Sequence, residues 1–142
     1  MKIVYFEDLV EGSVLWSNGE VVVDKDEMVE YARKNDPWPF HVDEEAAKKT
    51  PFGGLVASAG FTISLYFRFV STICNTPEAR WAFLGAFDVH MSMLRPVRPG
   101  DRLRLKTSIG SKRLSSKPGR GIVNSVGILV NQDSAYEGFR PR

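Results

Sequence analysis

The pattern of apolar and polar positions divides the first part of the chain into two kinds of element. Residues 5–23 alternate apolar and polar side chains around an Asn-Gly pair, which favours a tight turn, so we expect strands or a hairpin there. Residues 24–35 instead place apolar side chains at the three- and four-residue spacing of a helix. Because Asp24 opens a capping-box pattern, this segment is predicted to be a short amphipathic helix that delivers the chain to Asp36.

The middle of the chain carries the signals of a short helix and then of a much longer one. Asp43 is a good N-cap, acidic residues follow it, and Pro51 stops that helix after one or two turns. From Leu55 to about Ile73 the chain is apolar on nearly every side of a helix. Such a helix is covered by other elements of a fold. The run from Thr50 to Val70 has Arg68 as its only charge, but its proline, glycine and hydroxyl residues make it a poor membrane span, so we expect no membrane partner.

The C-terminal half changes to strand-like alternation. Residues 81–94, 101–113 and 121–132 alternate apolar and polar side chains, and Pro- and Gly-rich turns separate them. One long buried helix with several antiparallel strands predicts an α+β fold, in which a sheet of about five strands wraps the helix. The length suits one domain, which we place at residues 1–142.

Composition limits the binding partners and the cellular compartment that we expect. The 142 residues carry a formal net charge of +2, which gives no case for nucleic acid. The single cysteine, Cys74, allows no disulfide framework within the chain, and no export signal is visible at the N-terminus. We therefore expect a cytoplasmic protein.

The candidate chemistry lies in the sequence NDPWPFHVDEE, residues 35–45. Its prolines exclude a regular helix, so we expect a stiff loop that carries Asp36 and His41. These two side chains are either polar residues of a connecting loop or an acid/base pair. The second alternative is chemically reasonable because a carboxylate and an imidazole suit proton transfer near neutral pH. The other histidine, His90, falls in strand context, and neither histidine has a partner at metal-ligand spacing, so we expect no metal.

Three segments together resemble a known family. Residues 36–62 (DPWPFHVDEEAAKKTPFGGLVASAGFT), 94–101 (LRPVRPGD) and 117–133 (KPGRGIVNSVGILVNQD) are similar to the MaoC-like acyl dehydratases, which include R-specific enoyl-CoA hydratases. The resemblance extends from about Tyr5 to Asp133. It implies the hotdog fold, in which an antiparallel sheet wraps a long central helix.

The resemblance also implies an activity and its residues. These enzymes add water reversibly to a trans-2-enoyl thioester, usually of coenzyme A, and form the R-3-hydroxyacyl product. It implies that Asp36 and His41 are catalytic. It further implies that an N–H group at the start of the long helix contacts the thioester oxygen; Ala59 occupies that position and Gly60 follows it. Backbone donors at a helix N-terminus suit a developing oxyanion.

Three further residues are expected in the substrate site, and two alternative functions remain open. We expect Trp38, Phe40 and Ser58 to line the substrate site, with Trp38 standing where the family often has Asn or Gln. No cofactor is expected beyond the coenzyme A of the substrate. The alternatives are a hotdog thioesterase, in which water attacks the carbonyl, and a non-catalytic acyl-thioester-binding subunit.

Two further expectations concern assembly and the carrier. The resemblance to hotdog proteins implies pairing of two chains, and a curled sheet with open edges gains from a partner, so we expect a homodimer or a dimer-based oligomer. The basic turn from Lys112 to Arg120 is either a solvated hairpin loop or a contact for the phosphates of coenzyme A. The segment after Asp133 contains Pro141, so the last strand is expected to be short.

Overall fold

The computed structural model describes residues 1–86 and 88–133, so the expected short strand after Asp133 lies outside the described residues. The fold divides into two compact units. Among the described residues, one unit contains residues 1–19, 69–86 and 104–133, and the other contains residues 20–68 and 88–103. The helices are α1 (Lys25–Asn35), α2 (Pro39–Val42), α3 (Glu44–Lys48) and α4 (Ala59–Cys74). The strands are β1 (Lys2–Val4), β2 (Val14–Trp16), β3 (Val21–Val22), β4 (Ala79–Trp81), β5 (Arg102–Leu114) and β6 (Gly121–Val130).

The short helices begin where their capping residues stand. The Asp24 carboxylate accepts the backbone N–H of Glu27, and the Asp43 carboxylate accepts that of Ala46, so both aspartates cap helices as predicted. The prediction of a loop at Asp36–Val42 is only partly correct, because Pro39 opens the one-turn helix α2. Proline is well suited to the first helical position, where no N–H is needed. His41 therefore lies on a short helix.

The long helix begins later than its apolar pattern suggested. It starts at Ala59 instead of Leu55, because Ser58 accepts the N–H of Phe61 and acts as a cap. The preceding N–H groups are used elsewhere: that of Val56 donates to Phe40 and that of Ala57 donates to Val97. Residues 55–58 thus precede the helix and are fixed by hydrogen bonds to residues outside it.

Antiparallel pairing is organised by β5. In the first unit β5 pairs with β2 along one edge and with β6 along the other. In the second unit Arg102 and Leu103, at the start of β5, pair with β3. The prediction of a hairpin around the Asn-Gly pair is wrong, because β2 and β3 each pair with β5 instead of with each other.

Two features of the remaining strands differ from the predicted sheet. β1 and β4 form a separate parallel pair. Among the described residues of the expected strand 81–94, only Trp81 belongs to a strand, and those after it are irregular. Several large apolar side chains there are exposed: Phe83, Leu84, Val89, Met91, Met93 and Leu94. Alternation is stabilised as a strand only when one face is buried, and these side chains have no such face.

Each unit has its own buried residues. Phe69, Leu105 and Ile109 are buried in the first unit. The second unit buries a larger set, which includes Val23, Met28, Ala32, Ala47, Leu55, Val56, Phe61, Leu65 and Leu103. In the part of the chain that the structure describes, no helix is both long and apolar enough to cross a membrane.

Candidate active site

Asp36 is held by the end of α1. Its N–H donates to the carbonyl of Ala32 at 2.8 Å, which makes it the C-cap of the helix. Its own carbonyl accepts the N–H of Trp38 at 2.9 Å. Because both backbone polar groups of Asp36 are hydrogen-bonded, the backbone position from which the carboxylate projects is fixed. Its side chain is 39% exposed, so the carboxylate is accessible to water.

His41 faces this carboxylate from α2. Its Nε2 lies 3.5 Å from Oδ2 of Asp36, and its side chain is only 10% exposed. On the other side of the ring, Nδ1 lies 2.7 Å from the carbonyl oxygen of Val56. A carbonyl only accepts hydrogen bonds, so Nδ1 must carry the proton that it donates. In the neutral imidazole Nε2 is then the free acceptor, and it points towards Asp36.

The Asp36–His41 distance suits a shared water better than a direct bond. At 3.5 Å the two atoms are beyond the usual range of a strong N–H···O bond. Neutral Nε2 and an ionised carboxylate are both acceptors, and a water molecule has two protons to offer them. The arrangement can therefore orient a water and accept a proton from it.

The start of α4 supplies unused backbone donors. The Ser58 hydroxyl takes the N–H of Phe61, and the Ser58 carbonyl takes that of Thr62. The N–H groups of Ala59 and Gly60 have no acceptor among the residues that the structure describes. Ala59 is exposed and Gly60 is half-buried. These groups can donate to an oxygen that carries negative charge, and the dipole of a 16-residue helix supports them.

The segment 56–60 links these donors to the histidine. Val56 holds Nδ1 of His41, and its own N–H donates to Phe40 at 3.2 Å. Gly60 is four residues further along. The structure thus brings Asp36 and His41 together and ties His41 to the chain that enters α4. Ser58 is fully buried and caps the helix, so contact with substrate through its side chain stays a prediction.

A cluster of three aromatic side chains adjoins His41 through Phe40. Phe40 packs edge-to-face on the imidazole at 4.5 Å, and Trp38 stacks parallel to Phe40 at 6.2 Å between ring centres. Phe52 adds a third ring 5.5 Å from Phe40, and its carbonyl accepts a 2.6 Å bond from Arg98. Trp38 is 59% exposed, which leaves an apolar surface next to Phe40. The sequence analysis missed Phe52, since a phenylalanine after a turn proline carries no distinctive signal.

The other polar candidates have local partners. Nε2 of His90 lies 3.1 Å from Asp88, and both side chains are largely exposed. Lys112 bonds the carbonyl of Leu9 and lies over the ring of Phe6, so it is engaged within its own unit. In the hairpin turn the N–H of Ser115 donates to Arg120, the geometry of an ordinary β-connection. Within residues 1–86 and 88–133, no three His, Cys, Asp or Glu side chains gather as metal ligands would.

Comparison with known proteins places the chain in a family. A MaoC like domain matches residues 10–129. The uncharacterized protein YdeM of Bacillus subtilis (strain 168) is 32% identical over 114 residues, which cover 80% of this chain and 74% of that protein. The crystal structure of the MaoC-like dehydratase from Rhodospirillum rubrum has a TM-score of 0.80 and 34% sequence identity, and the match covers 91% of this chain and 86% of that one.

A more distant structure supports the same fold. The (R)-hydratase from A. caviae involved in PHA biosynthesis has a TM-score of 0.61 and 19% identity, and the match covers 89% of this chain and 88% of that one. At this identity the likeness concerns the fold alone. The chain therefore belongs to the MaoC-like domain family and has the expected hotdog fold, with α4 as its long helix.

Proposed function

We propose that this protein reversibly hydrates an enoyl thioester, taking trans-2-enoyl-CoA to R-3-hydroxyacyl-CoA as a hydro-lyase. The observation that carries the proposal is the Asp36–His41 pair, in which the bond from Nδ1 to Val56 directs the free Nε2 of His41 towards the carboxylate. Hydration needs an acceptor for a water proton and a group that orients the water, and this pair supplies both. Membership of the MaoC-like domain family agrees with this chemistry.

The proposed reaction begins with a water held between the two side chains. Nε2 of His41 accepts one proton while the Asp36 carboxylate accepts a hydrogen bond from the other, and the water oxygen bonds to C3 of the enoyl group. The C2–C3 π electrons shift towards the thioester carbonyl, which becomes an enolate. Protonation of C2 by the imidazolium returns His41 to its neutral form, so the proton balance closes within one turnover.

The enolate oxygen is the point at which negative charge develops. We assign the N–H groups of Ala59 and Gly60 to this oxygen, because they are unbonded within the described residues and stand at a helix N-terminus. Removing one donor of this kind typically costs about 100- to 1000-fold in kcat. The apolar surface of Trp38 and Phe40 suits the acyl part of the substrate.

The test is an assay of purified protein with short and medium enoyl-CoA thioesters. Disappearance of the enoyl absorbance together with R-3-hydroxyacyl-CoA on chiral analysis is the expected result. Free coenzyme A without hydration would identify a thioesterase instead. Tight binding without turnover would identify an acyl-thioester-binding subunit. Either of these, or no reaction from folded protein, contradicts the proposal.

Cys74 affects how released coenzyme A can be measured. Burial raises the pKa of the Cys74 thiol to about 11, so little of it is thiolate near neutral pH. Since the thiolate is the reactive form, Cys74 should add little background when released coenzyme A is measured with a thiol reagent.

The setting and the assembly belong to the same proposal. We propose a homodimer that acts on an acyl-CoA in the cytoplasm and uses no cofactor or metal beyond the coenzyme A of the substrate. Exposed apolar side chains in each unit, such as Leu84 in the first and Leu94 in the second, support contacts with a partner, because exposed apolar surface marks such contacts.

A further inference from the structure

Tyr31 lies on α1 and points its ring at the first turn of α4. The ring meets Phe61 edge-on, with the centres 5.8 Å apart and the planes at 62°. The residue is half-buried. Its hydroxyl has no hydrogen-bond partner among the described residues, whereas its backbone carbonyl accepts a bond from Asn35. A partly buried tyrosine usually finds a partner for its O–H, so this hydroxyl is available to a ligand.

The Tyr31 hydroxyl stands against Gly60. A methyl group added to the α-carbon of Gly60 would lie 2.5 Å from the hydroxyl oxygen and 3.2 Å from the nearest ring carbons. The space that a side chain would fill at position 60 is therefore occupied by the hydroxyl. This brings a side-chain donor beside the N–H group of Gly60, which itself lacks an acceptor among the described residues.

We propose that the Tyr31 hydroxyl is a further catalytic donor, which bonds the thioester oxygen together with the N–H groups of Ala59 and Gly60. This inference rests on the proposed hydratase function. The phenol O–H can donate to an oxygen, and the bond strengthens as that oxygen gains charge in the enolate, because charge-assisted O–H···O⁻ bonds are short and strong. Gly60 is required next to it because any larger residue displaces the hydroxyl.

The first test compares Tyr31→Phe with the wild type and with Tyr5→Phe, an exposed tyrosine in the other unit. Tyr31→Phe keeps the ring packing on Phe61 and should melt within a few degrees of the wild type. We expect kcat for enoyl-CoA hydration to fall about 100-fold, the scale of one lost oxyanion donor, while Tyr5→Phe is unchanged. An active wild type with an equally active Tyr31→Phe overturns the role of Tyr31 alone. A wild type that hydrates no enoyl-CoA overturns the proposed function.

The second test measures the bond itself. Crotonyl-CoA labelled with ¹³C at the thioester carbonyl is bound to Asp36→Asn protein, in which hydration should be about 100-fold slower or more. Its carbonyl stretch is recorded by infrared difference spectroscopy before turnover. Adding Tyr31→Phe should move the stretch to higher frequency, because one donor is lost. An unchanged frequency overturns the proposal even if kcat falls, since a merely structural role would not polarise the carbonyl.

A third variant displaces the hydroxyl while keeping it in the protein. Gly60→Ala pushes the Tyr31 oxygen away, so it should lower kcat to a similar degree in the wild type. In the Tyr31→Phe background the same alanine meets only ring carbons, so it should lower kcat much less. Equal losses in the two backgrounds would show that the tyrosine oxygen is not involved.

Discussion

At the scale of residues, the candidate site is oriented by backbone atoms. The carbonyl of Val56 sets the tautomer of His41, and the end of α1 sets the position of Asp36. The sequence alone offered this pair through the spacing and the family resemblance. It gave no hint of Val56, because a valine carbonyl has no signature, and Tyr31 was covered only by the helix predicted over residues 24–35. Contacts made by backbone atoms and by distant helices cannot be predicted from local pattern.

Trp38 provides a residue-scale prediction about substrate binding. Its ring is 59% exposed and stacks on Phe40, beside the imidazole. If the acyl group covers it, Trp38→Ala should raise KM about tenfold, a loss of about 1.4 kcal/mol, and leave kcat within about twofold, because uniform binding is lost. Steady-state kinetics with a medium-chain enoyl-CoA measures this. Trp16→Ala, another exposed tryptophan on β2, is the control and should change neither constant. An unchanged KM for Trp38→Ala removes this ring from the substrate site.

At the scale of elements, the sequence predicted the starts of α1 and α3 better than the start of the long helix α4. Asp24 and Asp43 cap the helices they were expected to cap, since capping depends on a few neighbouring residues. The long helix begins four residues later than its apolar run, because residues 55–58 bond outside the helix. The parallel pairing of β1 with β4 joins segments more than 70 residues apart, and alternation within a segment does not show its partner.

Ser58 provides the element-scale prediction. Ser58→Ala removes the acceptor for the N–H of Phe61, which is buried, and should lower the free energy of unfolding by about 1–3 kcal/mol. Asp24→Ala removes an exposed cap and should lower it by about 1 kcal/mol. Chemical denaturation compares the two. Only Ser58→Ala should also slow turnover, because it loosens the helix start that carries the proposed donors. If Ser58→Ala lowers the free energy of unfolding no more than Asp24→Ala does, the buried Ser58 cap is no more important to stability than an exposed cap.

At the scale of the whole molecule, the predicted hotdog fold is confirmed, while the described chain leaves apolar surface exposed. β6 pairs only with β5 along its length among the described residues, so its other edge is open. Unpaired edges and exposed apolar side chains favour association with another chain. Sequence alternation at 81–94 predicted a strand, yet that pattern does not reveal what covers its apolar positions. A partner chain is the kind of information that one sequence does not contain.

The whole-molecule prediction concerns assembly. At micromolar concentration the protein should elute and scatter light as a species of twice the 15.9 kDa chain mass. Replacing the exposed Leu84 and Leu94 by lysine should shift it towards the monomer, because a charge at an apolar interface is costly to bury. The exposed Leu114, at the end of β5, is the matched control, and its lysine variant should remain dimeric. A wild-type protein of 15.9 kDa under these conditions contradicts the proposed dimer.

The most direct measurement for the proposed mechanism is the hydration rate of Asp36→Asn against that of Asp43→Asn. Both replace one carboxylate by an amide in the same short stretch, and asparagine caps a helix about as well as aspartate, so Asp43→Asn should keep wild-type kcat. Asp36→Asn should lose about 100-fold or more in kcat, because a neutral amide is a weaker acceptor for the second proton of the water than a carboxylate, and its melting temperature should be nearly unchanged. Asp36→Asn protein that hydrates enoyl-CoA at the wild-type rate would contradict the central role of the Asp36–His41 pair.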